Sequence, residues 1–146
     1  MLINFGQKCF ENNSIENFGP KNYFDFIFAF EVLEHLDDPV GTIRKIFNLL
    51  NDKGVFIGTT PYPFHKNIYA DPTHTFVLHP KNWEKILLES GFKEVQSFPM
   101  SFFPLIWRMS SKLNIRFPFY IPISGFISTC LLIAKKDSNR KHKVTL

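Results

Sequence analysis

Between Tyr23 and Pro61 two short apolar runs flank one amphipathic segment. The first run, Phe24-Asp25-Phe26-Ile27-Phe28-Ala29-Phe30, is apolar on both faces apart from Asp25. That is how a parallel strand covered above and below by helices reads. Asp38-Pro39 then opens a helix, with Asp as N-cap and Pro at the first helical position. Val40, Ile43, Ile46, Phe47 and Leu50 recur at helical spacing, while Arg44, Lys45 and Asn48 fall on the other side. Asp52-Lys53-Gly54 predicts the helix stop, and Val55 to Thr60 the second strand. A strand, helix and strand of these lengths predict a right-handed parallel crossover.

The flanks carry weaker patterns. Before Tyr23, Lys8-Cys9-Phe10 suits a short strand, Asn12-Asn13-Ser14 a turn and Gly19-Pro20 a loop. Residues 62–79 form a polar and aromatic loop holding His65, Asp71, His74 and His79, and an ordered loop of that length usually serves function. Pro80 starts a second helix that His79 is placed to cap, with Trp83, Ile86 and Leu87 inward and Gly91 as its stop. Phe92 to Phe98 alternates as a strand, and Phe126 to Ala134 is a continuous apolar strand. Between them, residues 99–125 are rich in Phe, Pro and Ile, with a short helix expected around Phe103 to Lys112. The expected organisation is one domain over residues 1–136, with 99–125 as an aromatic insertion, and a basic tail over 137–146.

Charge and cysteine content change this picture little. The net charge is +4 with a pI near 9.1. Much of the excess sits in the run from Lys135 and Lys136 to Lys143, where a solvated basic terminus accounts for it without a strong nucleic-acid signal. Cys9 and Cys130 have neither metal-type spacing nor a disulfide framework, which fits a reducing cytoplasm. No basic leader with a sustained apolar core is visible, and no apolar run reaches membrane-span length.

Candidate chemistry lies just past the first strand, at Glu31, Glu34 and His35. In an open α/β sheet, ligands gather outside the carboxyl ends of the strands. If the segment makes one helical turn, these three residues stand at i, i+3 and i+4 and share a face. The plainer alternative is that Glu34 and His35 hydrogen-bond backbone at the start of the helix, while His74 orders its own loop.

The runs YFDFIFAFEVLEHLDDP, LLNDKGVFIGTTP, DPTHTFVLHPKNWEKILLESGF and FISTCLLIAKKD resemble the class I S-adenosylmethionine-dependent methyltransferases. They are closest to the branch with ubiquinone-pathway O-methyltransferases and small-RNA 2′-O-methyltransferases. The resemblance covers roughly residues 10–136. It implies a three-layer Rossmann-like α/β fold, truncated, with a mostly parallel sheet and an antiparallel last strand. Lys53 stands where the family usually has a second Gly, a departure expected to cost little. The family's glycine-rich cofactor loop has no counterpart before Phe24, so the first strand is expected to have one bare edge. That edge fits a truncated gene product, a chain completed by a protein partner or by self-association, or a degenerate half-domain.

The resemblance further implies methyl transfer from S-adenosylmethionine, to a small-molecule or other hydroxyl acceptor. It places Ser14 and Ile15 beside the adenine, and Phe30 and Glu31 near the methionine portion. Thr59, Thr60 and Pro61 fall where acceptor contacts would lie. In the small-RNA enzymes the matching positions bind a divalent metal, which here would be Glu31, Glu34, His35 and His74. Without metal, His35 or His74 would serve as general base. The alternative is a non-catalytic half-domain acting as an interaction subunit. A membrane-surface contact through the aromatic insertion and basic tail is a further option.

Overall fold

The computed structural model describes residues 13–19, 21–63, 71–102, 116–117 and 127–137. Five strands, β1 (Phe24–Phe30), β2 (Leu50–Pro61), β3 (Glu94–Phe102), β4 (Arg116–Phe117) and β5 (Ile127–Lys135), form one sheet in the order β1-β2-β5-β3-β4. The crossover helix α1 (Pro39–Leu49) joins β1 to β2, which pair in parallel. The last long strand, β5, lies antiparallel between β2 and β3. The mixed α/β sheet with an antiparallel final strand is therefore as the sequence implies. The short β4, antiparallel to β3, has no counterpart in the sequence reading.

Alternation along the strands sorts the side chains into two faces. Ile27, Ala29, Phe56, Leu132 and Ala134 share one, and α1 (through Ile43 and Ile46) and α2 (Pro80–Glu89, through Trp83 and Leu87) close over it as a single core. On the opposite face Phe26, Phe28 and Phe30 stand 57%, 58% and 55% exposed. Their rings form a ladder with centroids 6.3 and 5.8 Å apart. The sequence reading covers this strand on both sides, and here it needs correcting. Both described helices pack on the same face, so β1 is covered once. Its only described sheet neighbour is β2, and its other edge is bare among the described residues.

The helix ends follow the expected chemistry. The Asp38 carboxylate accepts from the Gly41 amide at 2.8 Å. His79 Nδ1 accepts from the Lys81 amide at 3.3 Å. Beyond α2, Gly91 takes φ +113°, its amide donates to Leu88 O at 3.0 Å and the Phe92 amide donates to Leu87 O at 3.2 Å. That pair of bonds is a Schellman stop, and Phe92 and Leu87 supply the apolar contact that goes with it.

Two expectations fail at the ends of β2 and β5. The strand begins at Leu50, not Val55, because Asn51 to Gly54 bulge between the pairs Phe24–Leu50 and Phe26–Val55. Within the bulge Lys53 holds φ +67°, the left-handed region that glycine enters without steric penalty. The lysine at a family glycine position thus carries backbone strain. Lys53→Gly is expected to stabilise the chain by about 0.5–1 kcal/mol, read from the midpoint of a urea transition at unchanged slope.

The second correction concerns the basic run. Lys135 pairs with Glu94 at 3.4 Å, and Lys136 is only 8% exposed. These two are structural, and the tail from residue 138 on lies outside the described residues. So do Cys9, His65 and the side chains of the aromatic insertion from Ser101 on. No described helix is long and apolar enough to cross a membrane.

Candidate active site

The chain leaves β1 through a sharp backbone reversal. Glu31 has φ +53°, and its amide is held by the Thr59 carbonyl at 3.0 Å and the Thr59 hydroxyl at 3.1 Å. The 3₁₀ turn that follows covers Leu33–His35 only. Leu33 anchors it in the core, and Glu34 is drawn fully inside. The loop after β2 is clipped onto this turn. The Thr75 and Phe76 amides donate to Glu34 O at 2.9 and 3.1 Å, and the Thr75 hydroxyl joins them at 3.1 Å. The clip carries His74 to His35, with ring centroids 4.8 Å apart.

Glu34, His35 and His74 therefore converge, with one ligand atom from each within 4.8 Å of the others. His35 Nε2 lies 3.8 Å from Glu34 Oε1, and His74 Nε2 lies 3.8 Å from Asp71 Oδ2. Neither Glu34 carboxylate oxygen has a hydrogen-bond partner among the described residues. Burial pushes the Glu34 carboxyl above its ordinary range and the Glu31 charge adds to this, while its own backbone amide and the two imidazoles oppose it. Glu31 is not a member of the converging group. A helical turn running from Glu31 to His35 would have included it. The turn starts at Leu33 instead, and the reversal at Glu31 takes its place.

Other expected site residues are more scattered. Ser14 is exposed, and its hydroxyl donates to the Glu16 carboxylate. Ile15 lines an open groove of about 290 Å³ with Phe18, Phe24, Phe26 and Ile27. Phe30 presents its ring on the open face at the strand's end, beside Glu31. Thr59, Thr60 and Pro61 are buried, and the Thr60 hydroxyl has no partner among the described residues. The sequence reading passed over Thr73, although Asp-x-Thr is a recognisable side-chain-to-backbone turn. Its hydroxyl donates to Asp71 Oδ1 at 2.6 Å and lies 2.9 Å from His35 Nδ1.

Comparison with known proteins bears on the family and the fold. A family model described as a methyltransferase domain matches residues 2–97. No protein of curated function matches the chain. Among solved structures, a S-adenosylmethionine-dependent methyltransferase from Archaeoglobus fulgidus superimposes with a TM-score of 0.61 at 22% identity, over 80% of this chain and 61% of that one. YcgJ of Bacillus subtilis gives 0.60 at 15% identity, over 86% and 69%. Phosphoethanolamine N-methyltransferase 2 of Haemonchus contortus, solved with S-adenosyl-L-methionine, gives 0.62 at 14%, over 84% and 35%. The chain thus spans about three fifths of the first of these relatives. With a methyltransferase-domain match over most of its length and a fold shared with those structures, the chain belongs to the class I S-adenosylmethionine-dependent methyltransferase family.

Proposed function

We propose that this domain serves methyl transfer from S-adenosylmethionine to a hydroxyl acceptor, with the acceptor held at Glu34, His35 and His74. The observation that carries this reading is the convergence of those three side chains outside the carboxyl end of β1. An amine acceptor carries its own lone pair when neutral, whereas a hydroxyl must give up a proton to become a good nucleophile. A cluster made of a carboxylate and two imidazoles is suited to receive that proton, with His35 or His74 as base.

The cofactor supplies a methyl group activated on a sulfonium, so much of the protein's work is alignment. The residues present fit one wall of such a site. The apolar groove around Ile15 and Phe26 suits a flat purine, and Glu31 at the strand's end suits an ammonium group. Ser14, Ile15, Phe30 and Glu31 would be the contacts on this chain. The three-residue cluster also fits a divalent cation: Glu34 brings two buried oxygens without partners among the described residues, and the imidazoles bring nitrogen donors. Such a set favours Mn²⁺, Fe²⁺ or Zn²⁺ over Mg²⁺, and the ion would acidify a bound hydroxyl. Titration calorimetry with S-adenosylmethionine tests the reading. Saturable heat is expected, and its absence at high protein concentration would overturn binding by this chain alone.

A second reading, a non-catalytic interaction subunit, is favoured by the exposed Phe26, Phe28 and Phe30 ladder next to a strand edge that is bare among the described residues. Edges without protecting charge pair readily. If that reading holds, the chain takes up no cofactor, and Phe28→Lys abolishes its association with a partner in sedimentation.

A further inference from the structure

The proton inventory around His35 fixes which of its ring nitrogens is free, and the groups that fix it lie outside the cluster itself. Two pairs of contacts decide the matter. The Thr73 hydroxyl donates its one proton to Asp71 Oδ1 at 2.6 Å, and the Thr73 amide donates to the same oxygen at 2.9 Å. His35 Nδ1 faces two Thr73 atoms, the hydroxyl oxygen at 2.9 Å and the carbonyl oxygen at 3.2 Å. A carbonyl oxygen can only accept. A hydroxyl oxygen whose proton is committed elsewhere can, towards Nδ1, only accept as well. Nδ1 must therefore be the donor to both. In a neutral imidazole that leaves Nε2 with its lone pair.

The geometry points to Asp71 and Thr73 as positioning residues that hold His35 as the Nδ1–H tautomer, with the Nε2 lone pair on the side of the Glu34 carboxylate. This rests on the proposed role of His35 as base or metal ligand, and supplies what that role needs. A base or ligand must present a lone pair, and Nε2 is the nitrogen 3.8 Å from Glu34 Oε1. The carboxylate at the far end can only accept when ionised, and it takes both Thr73 bonds on Oδ1. Carboxylate, hydroxyl and imidazole form a chain in which each link orients the next, as outer-shell partners do for metal-binding histidines. Thr73 occupies the Nδ1 side of the ring with both of its oxygens, which leaves Nε2 as the nitrogen turned to the cluster.

Nitrogen-15 correlation spectra of the histidine side chains test the assignment in mildly alkaline buffer without cofactor or metal, with His35 identified by its loss in His35→Gln. The wild-type chain is expected to show the Nδ1–H pattern at His35. Asp71→Ala removes the acceptor and frees the Thr73 hydroxyl to donate to Nδ1, and Thr73→Val removes the hydroxyl altogether. Each should move the tautomer ratio towards Nε2–H by about fivefold or more, the scale of one lost hydrogen bond, while Thr73→Ser retains the wild-type pattern. Asp71 and Thr73 are exposed, so both variants are expected to melt as the wild type does. A wild-type spectrum dominated by Nε2–H, or a ratio unmoved in both variants, overturns the proposal. Because the spectra involve neither binding nor turnover, failure of the methyl-transfer reading would leave their outcome unchanged.

Discussion

Lys136→Met is expected to destabilise the chain by about 3 kcal/mol, the scale of a buried charged donor removed from several acceptors at once. The ammonium of Lys136 donates to Leu50 O at 2.7 Å, Phe47 O at 2.9 Å and Asn22 Oδ1 at 2.9 Å. It also sits 4.7 Å from the centre of the Phe47 ring. Two of those acceptors are carbonyls where α1 gives way to β2, and orphan carbonyls at a helix end attract cations. Burial draws the Lys136 pKa below the ordinary lysine value, and Asp52 opposes the shift. Methionine keeps the volume and loses all three donors, which leaves polar oxygens facing an apolar chain. For a domain of this size the loss lowers the melting temperature by roughly 6–12 °C. Lys136→Arg recovers only part of it, because a planar fork cannot reproduce three divergent bonds. A melting temperature unchanged in Lys136→Met would show that the three bonds contribute nothing net.

Lys136 also shows what a sequence can and cannot disclose. As the second of two adjacent lysines ahead of a basic tail it reads as solvent-exposed, because its partners lie 86 to 114 residues away and leave no local signal. Three of the helix ends were legible from local chemistry: Asp38-Pro39, His79-Pro80 and Gly91 mark termini that the structure reproduces, whereas the stop expected at Asp52-Lys53-Gly54 falls inside β2. Strand β1 was legible too, since seven residues with one charge can hardly be anything else. Its environment was not, because apolarity on both faces does not reveal whether one face is covered within the chain. The same distinction governs the candidate site. His74 meets His35 because backbone bonds clip its loop to Glu34 O, contacts that residue spacing does not disclose. Glu31 drops out because the residue-to-residue geometry of a reversal at φ +53° differs from that of a helical turn. Thr73 was passed over because its role depends on where a hydroxyl proton goes.

Glu34→Gln is expected to stabilise the ligand-free chain at neutral pH by about 1–3 kcal/mol, because the neutral amide avoids the added cost of burying an ionised carboxylate. The folded-state pKa of Glu34 lies above its ordinary value near 4.5, with burial as the largest cause. The folded chain therefore binds a proton more readily than the unfolded chain, and stability falls as pH rises through that window. The penalty is complete above the folded pKa and relieved as pH drops to the unfolded value. Urea transitions of the two chains should accordingly lie furthest apart at neutral pH and draw together near pH 4.5. Manganese in excess closes or reverses the gap if the cluster holds a cation. At a hundred times its dissociation constant a ligand adds about 2.7 kcal/mol to the form that binds it, and Glu34→Gln forfeits that gain. Equal stability of the two chains at neutral pH without metal would mean that the Glu34 carboxylate is satisfied in solution. If that difference is found, Glu34 is a buried acid kept at a net cost to the fold, which is what the proposed site for a cation or a proton requires.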